Sequence, residues 1–333
     1  MVHSSKRNKV IALIVVGLAL IVGFWVFMSR AASFFVSITP ESSTLSGNAK
    51  LVSEADGSKA LQFNAPVTPP PTTPPTTPPT NGEQTCPPYP AFPDKNCTGA
   101  PDENKLPIVN GDVTLSAAGM VYEGKHVKGT IYVRANNITI KRTWVDGGIQ
   151  IRGWEGVKGL VVEDATIGYG YGDDGIAFSD YTCRRCDISG FSDGAKINGN
   201  VLIEDSWIHN LNIRPNDHAD GLQNNNGSGN VTIRHSSIDG GNNAAIFIAD
   251  TPSGTMLIEN NYMYGGNYTL QLLDNAGYAA TVRGNYIARD SYAFGPHRLH
   301  QDPAKVIWEN NYLVDDDASY DGVNLTNKTL LAR

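Results

Sequence analysis

Charge is what this 333-residue chain has least of: Asp, Glu, Lys and Arg make up 18% of it, and acids outnumber bases 33 to 26. The formal net charge of -7 excludes the basic surface on which nonspecific nucleic-acid binding depends. Local patches still leave room for anionic polymers. Cysteine is scarce as well, four residues in two pairs. Cys86 and Cys97 close a short loop rich in Pro, Asn and Asp, and outside the cytoplasm such a pair is expected to be oxidised. Cys183 and Cys186 form a CxxC, but no second CxxC completes a zinc set. Both fall on inward positions of the repeat described below, so they are read as core residues rather than metal or redox groups.

One long apolar run is present. Val10 to Met28 is 19 residues without a charge, about the thickness of a bilayer core. Lys6, Arg7 and Lys9 precede it, which predicts a cytoplasmic tail over 1–9, an uncleaved transmembrane anchor over 10–28, and everything after Arg30 outside the cell. A secretory signal cut after Ala31 is the alternative. Residues 29–65 hold a short strand-rich piece that is too small for a good core of its own. Its part from 36 to 65 resembles the opening segment of galactose-binding jelly-roll carbohydrate-binding modules, with a plain spacer as the alternative. Residues 66–82 are a Pro/Thr linker, PVTPPPTTPPTTPPT at its centre, of polyproline type. The disulfide loop over 83–110 leads into the remaining domain, 111–333.

That domain repeats. One unit recurs eight times, with anchor residues Ile140, Val162, Cys183, Ile203, Ile233, Ile258, Val282 and Trp308. Apolar residues alternate with period two, and Gly, Asn and Asp punctuate every run, so helices are excluded. A short strand that recurs at this spacing and cannot bury its own apolar face predicts an all-β, right-handed, single-stranded parallel β-helix of about eight coils. Three residues past each anchor stand Thr143, Ala165, Cys186, Ser206, Ser236, Asn261, Asn285 and Asn311, small or amide-bearing groups suited to hydrogen bonding from coil to coil. A second strand per unit places Ile131, Ile149, Ile176, Ala195, Leu222, Ile246, Leu270 and Phe294 inward. The final segment after residue 314 shows no further coil and is expected to cover the end of the stack.

Three copies of the second strand begin Asp-Gly, at Asp174, Asp193 and Asp220. Stacked on neighbouring coils about 4.8 Å apart, these carboxylates would repel. They must bind a cation, share protons or neutralise against Lys196 and Arg214. The longest coil carries its extra length in HNLNIRPNDHAD, directly before the third Asp-Gly strand, where binding groups tend to sit. Asp174, Asp193, Lys196, His218 and Asp220 are the candidate catalytic residues. Arg152, Arg214, Gln223, Asn225, Tyr268, His297 and Arg298 are candidate substrate contacts; His209 and His235 are expected on the outer surface. In β-elimination from a uronic-acid polymer, His218 or Lys196 would be the base, and Asp174, Asp193, Asp217 and Asp220 could hold calcium through oxygen ligands. In glycoside hydrolysis the three column carboxylates would themselves be acid and base.

Residues 111 to 314 resemble the right-handed parallel β-helix superfamily that includes pectate lyases, polygalacturonases and alginate-type lyases and epimerases. The Thr143-to-Asn311 column is similar to the asparagine ladder of pectate-lyase-like β-helices. GDDGIA from Gly172 is similar to the paired-Asp motif of polygalacturonases, although no GHG or RIK follows. NDHADG from Asn216 is similar to the Asp-His motif of alginate epimerases, and Lys196 on the preceding coil fits such a site, although the usual tyrosine is not evident. The resemblance implies an extracellular, membrane-tethered polysaccharide lyase or epimerase acting on uronate-containing glycans. A glycoside hydrolase of polygalacturonase type, or a noncatalytic glycan-binding or adhesion β-helix, is the alternative. The expected partners are a polysaccharide and the membrane, with no nucleic acid and a monomeric state.

Overall fold

A computed structural model describes residues 49–53, 59–63, 84–152, 155–168, 172–249, 252–273, 277–315 and 324–333. The expected anchor over 10–28 and the Pro/Thr linker lie outside the described residues. Among the described residues no helix is long and apolar enough to cross a membrane. Contacts divide the chain into a unit ending at Thr77 and a unit from Pro78. In the first, Ala49–Ser53 pairs antiparallel with Lys59–Phe63.

The second unit is a parallel β-helix. Its coils contribute in turn to two nine-stranded sheets and one eleven-stranded sheet. The eight anchor residues are register partners in one of these sheets, from Ile140 opposite Val162 to Val282 opposite Trp308. We call it the anchor sheet. The second-strand residues line up in another, the Asp-Gly sheet. Inward Ile, Val, Leu, Ala and Cys side chains from all three sheets form one continuous core. Each large aliphatic one contributes about 1.5–3 kcal/mol on burial, so a one-residue slip, which would turn the whole set outward, is strongly disfavoured.

A two-residue corner joins the anchor sheet to the third sheet. From the second coil on, its first residue is left-handed at Arg142, Asp164, Arg185, Asp205, His235, Asn260, Gly284 and Asn310, with φ between 46° and 65°. The residue after it points inward and carries the ladder. Asn261 Oδ1 accepts from Ser236 N at 3.0 Å, Asn285 Oδ1 from Asn261 N at 3.0 Å, and Asn311 Oδ1 from Asn285 N at 3.1 Å. Buried backbone donors at the corner are thereby satisfied by the next coil. Cys183 and Cys186 occupy their expected inward positions but are joined to each other as a disulfide. The anchor and ladder positions of one coil are close enough to bridge, so the pair is oxidised as well as buried, where plain core thiols were expected.

The glycines of the Asp-Gly strands have a packing reason. A Cβ on Gly194 would lie 2.5 Å from Gly221 O and 2.5 Å from Ile208 Cγ2, and one on Gly221 would lie 2.4 Å from Asp239 O. No larger residue fits where the strand closes onto the third sheet.

Residues 84–103 form a strap that runs lengthwise over the third sheet, tied by the Cys86–Cys97 disulfide. Tyr89 Oη donates to Gly284 O at 3.1 Å, Ser237 Oγ to Pro93 O at 2.7 Å, and Gly99 N to Arg185 O at 2.9 Å. His235 lies against this strap, with Nε2 2.9 Å from Ala91 O and Nδ1 2.5 Å from Asp205 Oδ1. His209 is buried, stacked on Trp207 and 2.8 Å from Asp187 Oδ1. Neither is the free surface residue the sequence suggested, because an aromatic neighbour or the strap covers it.

At the C-terminal end, Asn324–Leu330 pairs antiparallel with Tyr312–Asp315 and covers the last strand of the third sheet, as expected of this segment. The last Asp-Gly-sheet strand departs from the expected register. Leu270 is opposite His297, not Phe294, and Phe294 is 71% exposed. Ala293 N and Phe294 N donate to Gly266 O and Asn267 O of the preceding coil, so this stretch still belongs to the turn and the strand begins at Gly295.

Candidate functional site

The Asp-Gly sheet presents its candidate residues on one exterior wall. Asp174 pairs with Asp193 across neighbouring coils. Lys196 pairs with Gln223, placing Asp220 one coil beyond Asp193. Within each strand the Asp turns to the same side as the residue three positions on: Asp193 meets Lys196, and Asp220 meets Gln223.

Lys196 is the hub. Its ammonium donates to Asp193 Oδ2 and Gln223 Oε1 and lies 3.4 Å from Asp174 Oδ1. Asp193 Oδ1 also accepts from Asp220 N at 2.9 Å. Asp220 is fully buried and accepts from Gln223 Nε2 at 2.7 Å and Asn243 Nδ2 at 2.9 Å. Asn225 Nδ2 donates to Gln223 Oε1 at 2.6 Å, so Gln223 links the ammonium, Asp220 and Asn225.

Burial dominates the electrostatics. It pushes Asp174 and Asp193 above the usual carboxylate range against the pull of Lys196. It pushes Asp220 well above that range, and the Asp193 charge adds to the effect. Burial also works against the Lys196 charge, but Asp193 and Asp174 together outweigh it, so this ammonium holds its proton more tightly than usual. Lys196 is therefore a cation here and not a base.

The long loop supplies a second, more open group. Ser192 Oγ donates to Asp217 Oδ2 at 2.5 Å, and Arg214 bridges Asp217 at 3.1 Å and Asp173 at 2.7 Å. The Ser192 hydroxyl, followed by Arg214, holds the Asp217 carboxyl below its usual range. His218 is exposed, and its backbone N–H donates to Asp217 Oδ1 at 3.1 Å.

Calcium takes about six to eight oxygen ligands, and this donor set does not suit it. Lys196 already stands between Asp174 and Asp193, Asp220 accepts from two side-chain amides, and Asp217 from Ser192 and Arg214. Among the described residues no group of three His, Cys, Asp or Glu side chains is arranged to hold a metal ion.

Of the remaining candidates, Gln223 and Asn225 join the cluster. By register Tyr268 stands in the column of Asp220, two coils further on. Arg298 pairs with Gln271 and continues the outward column of Lys196, Gln223 and Phe247. Arg152 is held by Glu155 at 2.7 Å, at the start of the turn leaving its strand. His297 faces into the stack, with Nε2 2.9 Å from Ala332 O under the C-terminal tail.

Asn243 and Ser192 went unnoticed in the sequence. Both occupy the position immediately before the Asp column, with Asp173 and Ala219; stacking the turns as well as the strands brings them out. Tyr181 is a buried tyrosine beside the site whose hydroxyl donates to Lys196 O at 2.9 Å, so its role is to hold the strand. No family model, curated protein or solved structure matches this chain.

Proposed function

We propose that this wall binds and cleaves a polysaccharide by general acid–base catalysis, with Asp174 and Asp193 as the reacting pair. The reading rests on the convergence of two largely buried carboxyls with raised proton affinity on a single ammonium. Asp193 receives both the Lys196 ammonium and the Asp220 backbone N–H, and is the better held of the two as an anion. Asp174, with the weaker 3.4 Å contact to Lys196, is the one able to keep a proton and deliver it to a glycosidic oxygen. Strands on adjacent coils are about 4.8 Å apart, close to the about 5–5.5 Å separation of carboxyls in double-displacement glycosidases. Asp220, shut off from solvent, positions Asp193 and Gln223.

β-Elimination or epimerisation of a uronate polymer is the second reading, favoured by the exposed His218, adjacent in sequence to the Asp217 that Arg214 pairs with. His218 would then be the base, since Lys196 is ion-paired. We further propose that the coils wind right-handed, the hand that parallel crossovers overwhelmingly adopt, and that the chain is a member of the pectate-lyase-like superfamily. The two disulfides support folding outside the cytoplasm, consistent with a tether through residues 10–28 and a carbohydrate partner in the cell exterior.

The full-length protein in detergent, incubated with polygalacturonate and alginate, tests the choice. Hydrolysis releases reducing ends without ultraviolet absorbance, elimination releases both, and epimerisation changes only the sugar stereochemistry seen by NMR. Asp193→Asn and Asp174→Asn are expected to abolish hydrolysis, while His218→Ala leaves it intact. Full activity in both Asp variants would remove the reading.

A further inference from the structure

Beyond the carboxyl cluster, the same wall carries an exposed Phe294 packed on a partly buried Tyr268, and a cation without a counter-charge. Phe294 is the most exposed large hydrophobic residue among the described residues, at 71%. It is nevertheless fixed in place: its backbone N donates to Asn267 O at 2.8 Å, and its ring lies 5.8 Å from that of Tyr268, tilted by 48°. Tyr268 is the register partner of Gly295 and stands in the column of Asp220. Three coils separate it from Asp193, about 14 Å along the axis at about 4.8 Å per coil. Arg298 stands in the outward column that begins with Lys196 and Gln223, and is exposed.

Arg298 differs from its counterparts on the coils. Arg142, Arg184, Arg185, Arg234, Arg283 and Arg289 each bridge a carboxylate, whereas among the described residues Arg298 has none, and neither does Arg134, which instead lies over the Tyr132 ring. Arg298 stands three positions along the strand from Gly295, the register partner of Tyr268, and an open guanidinium and an aromatic face on one wall match a ring with one apolar face and an anionic substituent.

We infer that Phe294, Tyr268 and Arg298 form a distal subsite that stacks one ring of an acidic saccharide and pairs with its carboxylate, so that a glycan chain lies along the helix axis from this platform to Asp193. This rests on the reading of the wall as a polysaccharide surface and adds the sign of the substrate's charge and the direction in which it lies. Neighbouring coils supply the floor of the path: Ala244 leaves it low and Gln271 is held down by Asn243.

Affinity electrophoresis of the full-length protein in gels containing polygalacturonate, alginate or neutral xyloglucan tests it. Retardation by at least one acidic polymer and not by xyloglucan is expected. Phe294→Ala should weaken that retardation about tenfold, the loss of one stacked ring. Arg298→Gln should weaken it as well, and the difference between wild type and variant should shrink as salt rises. Both side chains are exposed, so the variants should keep the wild-type melting temperature. Unchanged retardation in both variants, preference for xyloglucan, or no retardation in any gel overturns the inference. Asp193→Asn separates the two claims: it should stop turnover but keep retardation. Turnover surviving in Asp193→Asn, with Phe294→Ala still weakened, would sink the catalytic reading and leave the subsite standing.

Discussion

Replacing Lys196 by Met keeps the length of the side chain and removes its charge, and the cost should depend on pH in a way that packing alone does not. The Lys196 side chain is 13% exposed, and those of Asp193 and Asp174 are 9% and 12% exposed. Deleting the cation leaves the buried carboxylates without a counter-charge, a loss of about 3–5 kcal/mol. For a domain of this size each kcal/mol moves the midpoint by about 2–4 °C, so Tm should fall by about 6–20 °C at pH 8. The folded-state proton affinities of Asp174 and Asp193 are already raised by burial. The stability they contribute is therefore fully present below the unfolded carboxyl range near pH ~3.9 and is lost as pH climbs through their raised folded values. Removing the ammonium raises those values further and steepens the loss. As pH falls toward the unfolded carboxyl range the carboxyls take up protons in both proteins, and the deficit should shrink toward the order of 1 kcal/mol for the missing hydrogen bond. Thermal melts of wild type and Lys196→Met at matched pH between 4 and 8 read this directly. An equal deficit at both ends would show that the cluster is not electrostatically coupled, and the acid–base assignment would lose its basis.

Asn285→Ala should lower stability by about 1–3 kcal/mol, seen as a lower urea midpoint, because it strands the Asn261 backbone N–H inside the core and removes the amide donor to Ile258 O. Mild reductant should open Cys86–Cys97, at the partly exposed strap, before Cys183–Cys186, both of whose residues are fully buried; mass spectrometry after alkylation gives the order. Loss of the strap disulfide, which spans 11 positions, should cost about 3 kcal/mol by loop entropy. Gly194→Ala should destabilise by about 1–3 kcal/mol through overpacking against Gly221 O and Ile208, measurable as a shifted melting temperature.

The coil-to-coil register was legible because the evidence for it repeats. Ile140 through Trp308 and Thr143 through Asn311 each recur at the same place in eight units, and any one misplaced residue is outvoted by the others. The last strand shows the limit. AFGPH offers Phe294 as the apolar residue, but the end of the stack is closed by the C-terminal tail, and under that tail the interior accepts His297. The strap was illegible for another reason: its contacts, such as Ser237 with Pro93, join residues 144 positions apart and leave no periodic trace. At the site, the Asp column, Lys196 and Gln223 could be read from strand register. Asn243 and Ser192 could not, since turn residues vary in number between coils and their alignment requires the backbone.

The Asp-Gly repeat has two halves with different causes. Its glycines are demanded by the fold, since each sits where a side chain would strike the next coil or the third sheet. Its aspartates are not. The coil after Asp220 carries Ala244 at the same position, and the helix continues unbroken. An Asp before Gly ordinarily supports its own turn by accepting a local backbone N–H, yet Asp193 accepts from the following coil and from Lys196, and Asp220 from two side-chain amides. Three neighbouring carboxyls that the winding does not need, each raised in proton affinity by burial, destabilise the folded state at neutral pH. Groups of this kind are concentrated at sites of chemistry, and that imbalance between what the coil requires and what it carries is the physical ground for proposing Asp174 and Asp193 as the reacting pair.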